Sequence, residues 1–228
     1  MLKILSWNIR QGGGSRVAEI CKYLISTKAQ IITLNEFKNN AAGNHIRRNL
    51  LRSGYIHQGV SADSNDNNSV CIVSKLPFNN TLFYDIDDKY SHCMIKAEFQ
   101  SIDVYGVYMP HKKKHKLFDY LNAIDYIKPS IICGDFNSGI NTIDQKGNSF
   151  WYEDDLKKLL KFEFIDAFRL HHPDAKEYSW YSHQGNGYRY DHTYASKSLK
   201  SLVKDCYYDH SIREQNISDH SPMILQLG

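Results

Sequence analysis

The 228-residue chain has no apolar run approaching the roughly 20 residues that cross a bilayer, no Cys-x-x-Cys pair, no internal repeat and no low-complexity linker. The first absence argues against a membrane span. The second argues against a zinc ribbon or a dithiol redox site. The five cysteines, Cys21, Cys71, Cys93, Cys133 and Cys206, are odd in number, widely spaced and mostly set in apolar stretches, as reduced core residues are. Charge of one sign is also scarce. Lys and Arg number 28 against 25 Asp and Glu, a formal net charge of +3, too little for composition alone to announce a nucleic-acid binder. Met1 leads directly into a strand-like pattern, without a basic leader or a small-residue cleavage site. The expectation is a soluble cytoplasmic protein, monomeric, with no membrane partner and no inferable protein partner. With 42% hydrophobic and 23% charged residues, residues 1–228 suffice for one domain with a sizeable core.

Short runs rich in Ile and Val read as buried strands. They predict strands over 3–7, 30–35, 55–60, 69–74, 81–85, 92–99, 101–108, 130–134, 189–195, 204–210 and 222–227. Strands that follow one another without helices between them pair antiparallel, and a hairpin is expected across Gln100-Ser101. Ser15 is placed to cap a helix whose face is Val17, Ile20, Cys21, Leu24 and Ile25. Leu117, Phe118, Leu121 and Ile124 mark another helix; Leu156, Leu159 and Leu160 mark a further one. Asp63 to Ser69 is a polar, turn-rich loop. The pattern fits an α/β protein, two mixed sheets covered by helices in a four-layer sandwich.

A polar residue stands just beyond many of these runs: Asn8, Glu36, Tyr108, Asp135 with Asn137, Asp191, and Asp219-His220 before the last strand. Carboxylates, amides and a histidine at strand ends of one scaffold make an oxygen-rich pocket suited to a hard divalent cation and a phosphate. An extended backbone would turn Asp135 and Asn137 to one side and Phe136 to the other; an Asp-x-Asn turn closing the strand is the plainer alternative. Asp219-His220 fits a loop that offers a carboxylate and an imidazole together, or a surface turn. Glu36 should share the face of Ile32 and Leu34, and Asn8 that of Ile4 and Ser6. An acid on a core-facing side is costly unless paired or metal-bound.

Taken together, Ser6-Trp7-Asn8-Ile9-Arg10, Leu34-Asn35-Glu36, Tyr108-Met109-Pro110, Gly134-Asp135-Phe136-Asn137, Tyr188-Arg189-Tyr190-Asp191 and Ser218-Asp219-His220-Ser221-Pro222 resemble, in order and over nearly the whole chain, the endonuclease/exonuclease/phosphatase superfamily. Tyr108, where other branches carry histidine, resembles the exonuclease III and abasic-site endonuclease branch and retrotransposon endonucleases. So do Ile165-Asp166-Ala167-Phe168-Arg169, His172-Pro173 and Tyr178-Ser179-Trp180-Tyr181. The resemblance implies a DNase I-like four-layer α/β/β/α sandwich of mainly antiparallel sheets. It also implies metal-dependent hydrolysis of DNA phosphodiesters, with Mg2+ as cofactor and Mn2+ as a possible substitute. Glu36 becomes the principal metal ligand, with Asn8 and Asp219 supporting it. Asp135 activates water beside Asn137, His220 contacts the phosphate and is held by Asp191, Tyr108 stabilises the transition state or leaving group, and Asn148 binds phosphate.

Some positions depart from that pattern. His111 follows Pro110 where an amide is usual, His192-Thr193 follow Asp191 where bulky apolar residues are common, and Ser182 to Tyr188 is short beside abasic-site enzymes. DNA is the expected partner. RNA, a nucleotide or a phosphorylated small molecule is the alternative substrate, and a non-catalytic nucleic-acid-binding relative is the alternative class. Lys112-Lys113-Lys114, between His111 and His115, reads either as a backbone-tracking cluster or as a solvated loop. Arg47, Arg48 and Arg52 read either as a phosphate-facing strip or, preferably, as the wet face of a helix. Trp180, Tyr181 and Tyr188 could stack on a base or belong to the core. His111, Lys112 and Trp180 join Asn148 as candidate substrate contacts.

Overall fold

The structure, a computed structural model, describes residues 1–62, 67–86 and 89–228. Most of the turn-rich loop expected at Asp63 to Ser69 lies outside the described residues. In chain order the strands are β1 (Leu2–Asn8), β2 (Ile31–Phe37), β3 (His57–Val60), β4 (Ser69–Ser74), β5 (Asn79–Leu82), β6 (Met94–Glu98), β7 (Asp103–Tyr108), β8 (Ser130–Asp135), β9 (Phe164–Asp166), β10 (Trp180–Tyr181), β11 (Gly187–Tyr188), β12 (Asp191–Ser196), β13 (Val203–Tyr208) and β14 (Met223–Leu227). The helices are α1 (Val17–Ser26), α2 (Ala41–Arg52), α3 (His115–Ala123), α4 (Glu153–Phe162), α5 (Ala167–His171) and α6 (Ser211–Glu214).

Two six-stranded sheets run in the orders β13-β14-β1-β2-β4-β3 and β5-β6-β7-β8-β12-β9, and β10-β11 form a separate hairpin. Among the described residues only β1 with β2 and β7 with β8 pair parallel; the other ladders are antiparallel, the expected β6–β7 hairpin included. Strand alternation builds the layers. Ile4, Ile31, Val104 and Ile131 fill the space between the sheets. Their neighbours Leu5 and Ile32 pack under α1 and α2, through Ile20, Leu24, Ile46 and Leu50. On the far side Tyr105 and Ile132 pack under α3 and α4, through Leu117, Phe118, Leu121, Leu156 and Leu159. The result is the four-layer sandwich, and all five cysteines are buried and free. No helix among the described residues is long and apolar enough to cross a membrane.

Three local expectations need correction. Ser15 does not cap α1: it lies in a 3-10 turn, Gly14–Arg16, and the cap position is Arg16, without a side-chain cap bond. Glu36 does not follow the alternation of Ile32 and Leu34. The β2–β4 register shifts between Leu34 and Phe37, Glu36 takes a left-handed φ of 51°, and Phe37 occupies the helix-facing side instead. A bulge of this kind re-aims a side chain. Asn137 is not extended either; its φ is 46°, so the chain turns at once after β8. Gly134 just before permits the approach of β7, because a Cβ there would lie 1.8 Å from the Val107 carbonyl oxygen.

Candidate active site

Strand register brings the first three groups together. Tyr108 at the end of β7 pairs with Asp135 at the end of β8, and Asp135 pairs with Asp191 at the start of β12. They stand in a row across three neighbouring strands. The other sheet supplies Asn8 from β1, and the segment before β14 supplies His220. Asp135 and Asp191 are each 1% exposed and His220 6%.

His220 lies between the two acids. Its Nδ1 is 2.7 Å from Asp191 Oδ2, and its Nε2 is 3.9 Å from Asp135 Oδ2. Asn8 Nδ2 donates to Asp135 Oδ2 at 2.8 Å and to Glu36 Oε1 at 3.1 Å, tying the two sheets together across the site. The Asp135–Asn137 turn closes on itself: Asn137 N donates to Asp135 Oδ1 at 2.8 Å, and Asn137 Nδ2 donates to Met109 O at 2.9 Å and to Asp135 Oδ2 at 3.3 Å. The turn and the pairing of Asp135 with Asn137 are therefore the same feature.

Burial opposes the charge on His220, yet the carboxylates of Asp191 and Asp135 outweigh it and raise its pKa to about 10. Burial pushes Asp135 up to about 7, against the pull of His220 and with Asp191 adding to it. Tyr108 is also raised, by burial and then by Glu36 and Asp135, so its hydroxyl stays protonated; it accepts from Asn68 Nδ2 at 3.4 Å. The row thus presents a cationic imidazole, a proton-accepting carboxylate and a neutral phenol.

Two arrangements could hold a cation. Asp135, Asp191 and His220 place ligand atoms within 4.8 Å of one another, but a protonated imidazole offers no free nitrogen to a metal and already offsets one of the two carboxylate charges. The Glu36 side is more open: Glu36 Oε2 accepts from Gln11 N at 2.8 Å, and Asp219 Oδ2 accepts from Trp180 Nε1 at 3.3 Å, with Arg10 Nε 3.8 Å away. Asp219 Oδ1 is buried without a hydrogen-bond donor. A carboxylate oxygen buried in that state suits a hard cation, so the residues present fit one.

Beside the dyad is a cavity of about 240 Å³ lined by His111, Asn137, Asn148, Phe150, Trp151, Trp180, Tyr188 and Tyr190 among others. Four expected substrate contacts are thereby placed. His111, Asn148 and Trp180 line the cavity, and exposed Lys112 sits at its rim, with its Nζ 5.4 Å above the Trp151 ring. Trp180 is partly buried, its ring 6.4 Å from that of His220. Arg47 on α2 donates to Gln58 at 3.1 Å, while Arg48 and Arg52 are exposed on its wet face.

Lys114 departs from the expectation of a charge run on a solvated or backbone-tracking loop. It is fully buried, and its Nζ donates to the carbonyls of Phe136 at 2.8 Å and Asn137 at 2.6 Å, directly behind the Asp135–Asn137 turn. Burial lowers its pKa to about 7. The signal was present: Lys114, Leu117, Phe118 and Leu121 follow the i, i+3, i+4, i+7 spacing of one buried face. Phe150, Trp151 and Tyr190 were also missed, because loop aromatics carry no periodicity.

The chain spans 62% of the length of an exodeoxyribonuclease from Bacillus subtilis, with 29% identity over 58% of its own residues. It is 23% identical to a DNA-(apurinic or apyrimidinic site) endonuclease from Dictyostelium discoideum, over 89% of this chain and 64% of that protein. Among solved structures, an AP endonuclease from Archaeoglobus fulgidus superposes with a TM-score of 0.86 at 25% identity, covering 100% of this chain and 99% of the other. A 3′ phosphatase from Neisseria, bound to a product DNA hairpin, shares the fold with a TM-score of 0.84 at 21% identity and full coverage of both. The sequence profile of the Endonuclease/Exonuclease/phosphatase family matches residues 5–220, and the chain belongs to that family.

Proposed function

We propose that the protein is a metal-dependent phosphodiesterase that hydrolyses DNA, with Mg2+ as its cofactor and Mn2+ as a substitute. The observation that carries the reading is the imidazolium of His220 set between the buried carboxylates of Asp191 and Asp135, in one row with the neutral Tyr108. Water attacks phosphorus: its oxygen forms the new P–O bond, and its proton passes to Asp135, whose pKa near 7 suits a general base. The bond to the leaving sugar oxygen breaks, and that oxygen is protonated from solvent while the Tyr108 hydroxyl donates to it. His220 donates a charged hydrogen bond to a non-bridging oxygen. Asp191 keeps the ring oriented, as carboxylate partners of histidine do.

Glu36, with Asn8 and Asp219 beside it, would hold the cation. Bound there, it offsets charge on the phosphate. Relatives named as an exodeoxyribonuclease and an AP endonuclease support DNA as the substrate. The aromatic cavity, whose titratable lining among the described residues is His111 and three tyrosines, suits the neutral part of a nucleotide, and the exposed cations Arg10, Lys112 and Lys113 suit its backbone. The test is a gel assay on end-labelled supercoiled, linear, single-stranded and abasic DNA, with Mg2+ or chelator. Metal-dependent products are expected. Cleavage of a soluble phosphoester alone, or salt-dependent binding without cleavage under any metal, would replace this reading.

A further inference from the structure

A second histidine–carboxylate pair lies behind the first. His210 Nε2 is 3.0 Å from Glu177 Oε1, and His210 Nδ1 is 2.8 Å from Ser221 Oγ. An acid, an imidazole and a serine hydroxyl in that order are the components of a nucleophile-activating triad. Burial rules that use out here: Ser221 is 0% exposed, so no substrate reaches its hydroxyl. The geometry asks instead what the array holds in place.

Ser221 directly follows His220, and its N–H donates to the carbonyl of Ser179 at 2.9 Å. Trp180, the next residue, pairs with His220 in an isolated bridge. The Ser179 hydroxyl accepts from the N–H groups of Tyr190 at 3.0 Å and Asp191 at 3.1 Å. Segment 177–180 therefore touches the backbone of both members of the dyad. His210 closes the remaining side, joining Glu177 at the start of that segment to Ser221 beside His220. Its own ring stacks on Tyr208, at 5.8 Å and 13°, and the Tyr208 hydroxyl donates to the backbone carbonyl of Asp191. Through Ser179, Tyr208 and Ser221, the array thus leads to the backbone at Asp191 and His220.

We infer that Glu177, His210 and Ser221 are positioning residues that set the Asp191–His220 hydrogen bond, with His210 as the cross-tie. The inference rests on the reading of that dyad as catalytic, but its primary readout does not. A proton held between buried His220 Nδ1 and Asp191 exchanges slowly and can be followed by 15N-histidine NMR of the full chain. His210→Ala and Ser221→Ala should shift or broaden that resonance, and lower kcat about tenfold with KM unchanged within about twofold. His210→Asn, which keeps a polar group facing Ser221, should restore both. Glu177→Gln serves if His210→Ala fails to fold, and should move the same resonance by a smaller amount. An unmoved His220 signal in the folded variants overturns the inference, whatever the activity. A shifted signal in a protein that cleaves no DNA sustains it and sinks the proposed function instead.

Discussion

Two buried clusters of charge meet at neighbouring residues, Arg189 and Asp191, and they are built differently. In one, the fully buried Arg189 guanidinium donates from Nε to Asp144 at 2.7 Å, from Nη2 to Asp144 at 3.0 Å, and from Nη1 to Asp166 at 3.3 Å; Arg169 also reaches Asp144. Burial works against the Asp144 charge, but the arginine overrides it and holds the carboxyl well below its usual range. In the other, two carboxylates share one imidazole, Asp191 Oδ1 has no donor, and Asp135 is raised rather than lowered. The first cluster pairs both of its acids with arginine and fixes the 138–150 loop against β9 and α5. The second leaves Asp191 Oδ1 without a donor, and perturbed groups next to a cavity are where chemistry is expected.

Substitutions should separate the two clusters by kind of effect. Glu36→Ala should reduce metal-dependent cleavage by at least about a hundredfold and weaken the metal dependence of the rate, with little change in Tm. Arg189→Met should do the reverse. It leaves buried Asp166 without its arginine and Asp144 with Arg169 alone, at a cost of about 3–5 kcal/mol, read by urea unfolding. If Arg189→Met is neutral in stability, the contrast between structural and chemical charge fails.

Lys114→Met tests the buried lysine behind the turn. Its folded pKa near 7 lies below the unfolded value, so the unfolded chain binds more protons between about pH 7 and 10.5. Wild-type stability should therefore gain on the variant as pH rises through that window, by at most about 1.4 kcal/mol per unit. A constant difference would show that Lys114 is not depressed. The smallest effect is acidic. Burial and Arg189 lower His192 to about 4, so its share of stability is complete above about 6.5 and is lost as pH falls toward 4. His192→Phe should flatten that limb in a pH series of unfolding free energies.

Much of this was legible in the chain. Periodicity marked the core strands closely because both sheets are covered on each face, which leaves near-continuous Ile and Val runs. Polar residues closing those runs located Asn8, Tyr108, Asp135, Asp191 and His220. What escaped detection was set by backbone features without a period. The bulge at Glu36 and the left-handed Asn137 reverse alternation, Lys114 hid inside a lysine triplet, and the two-residue strands β10 and β11 are too short to carry a pattern. The Glu177–His210–Ser221 array joins residues up to 44 positions apart, a pairing visible only once the chain is folded.

The most direct test of the account is Asp135→Asn, compared with wild type in single-turnover cleavage of an end-labelled duplex in Mg2+, alongside Tm. A loss of about 10²–10⁴ in rate with Tm unchanged or raised is the predicted result, since the amide is neutral at a site that resists charge. Cleavage at the wild-type rate by the folded variant would contradict it.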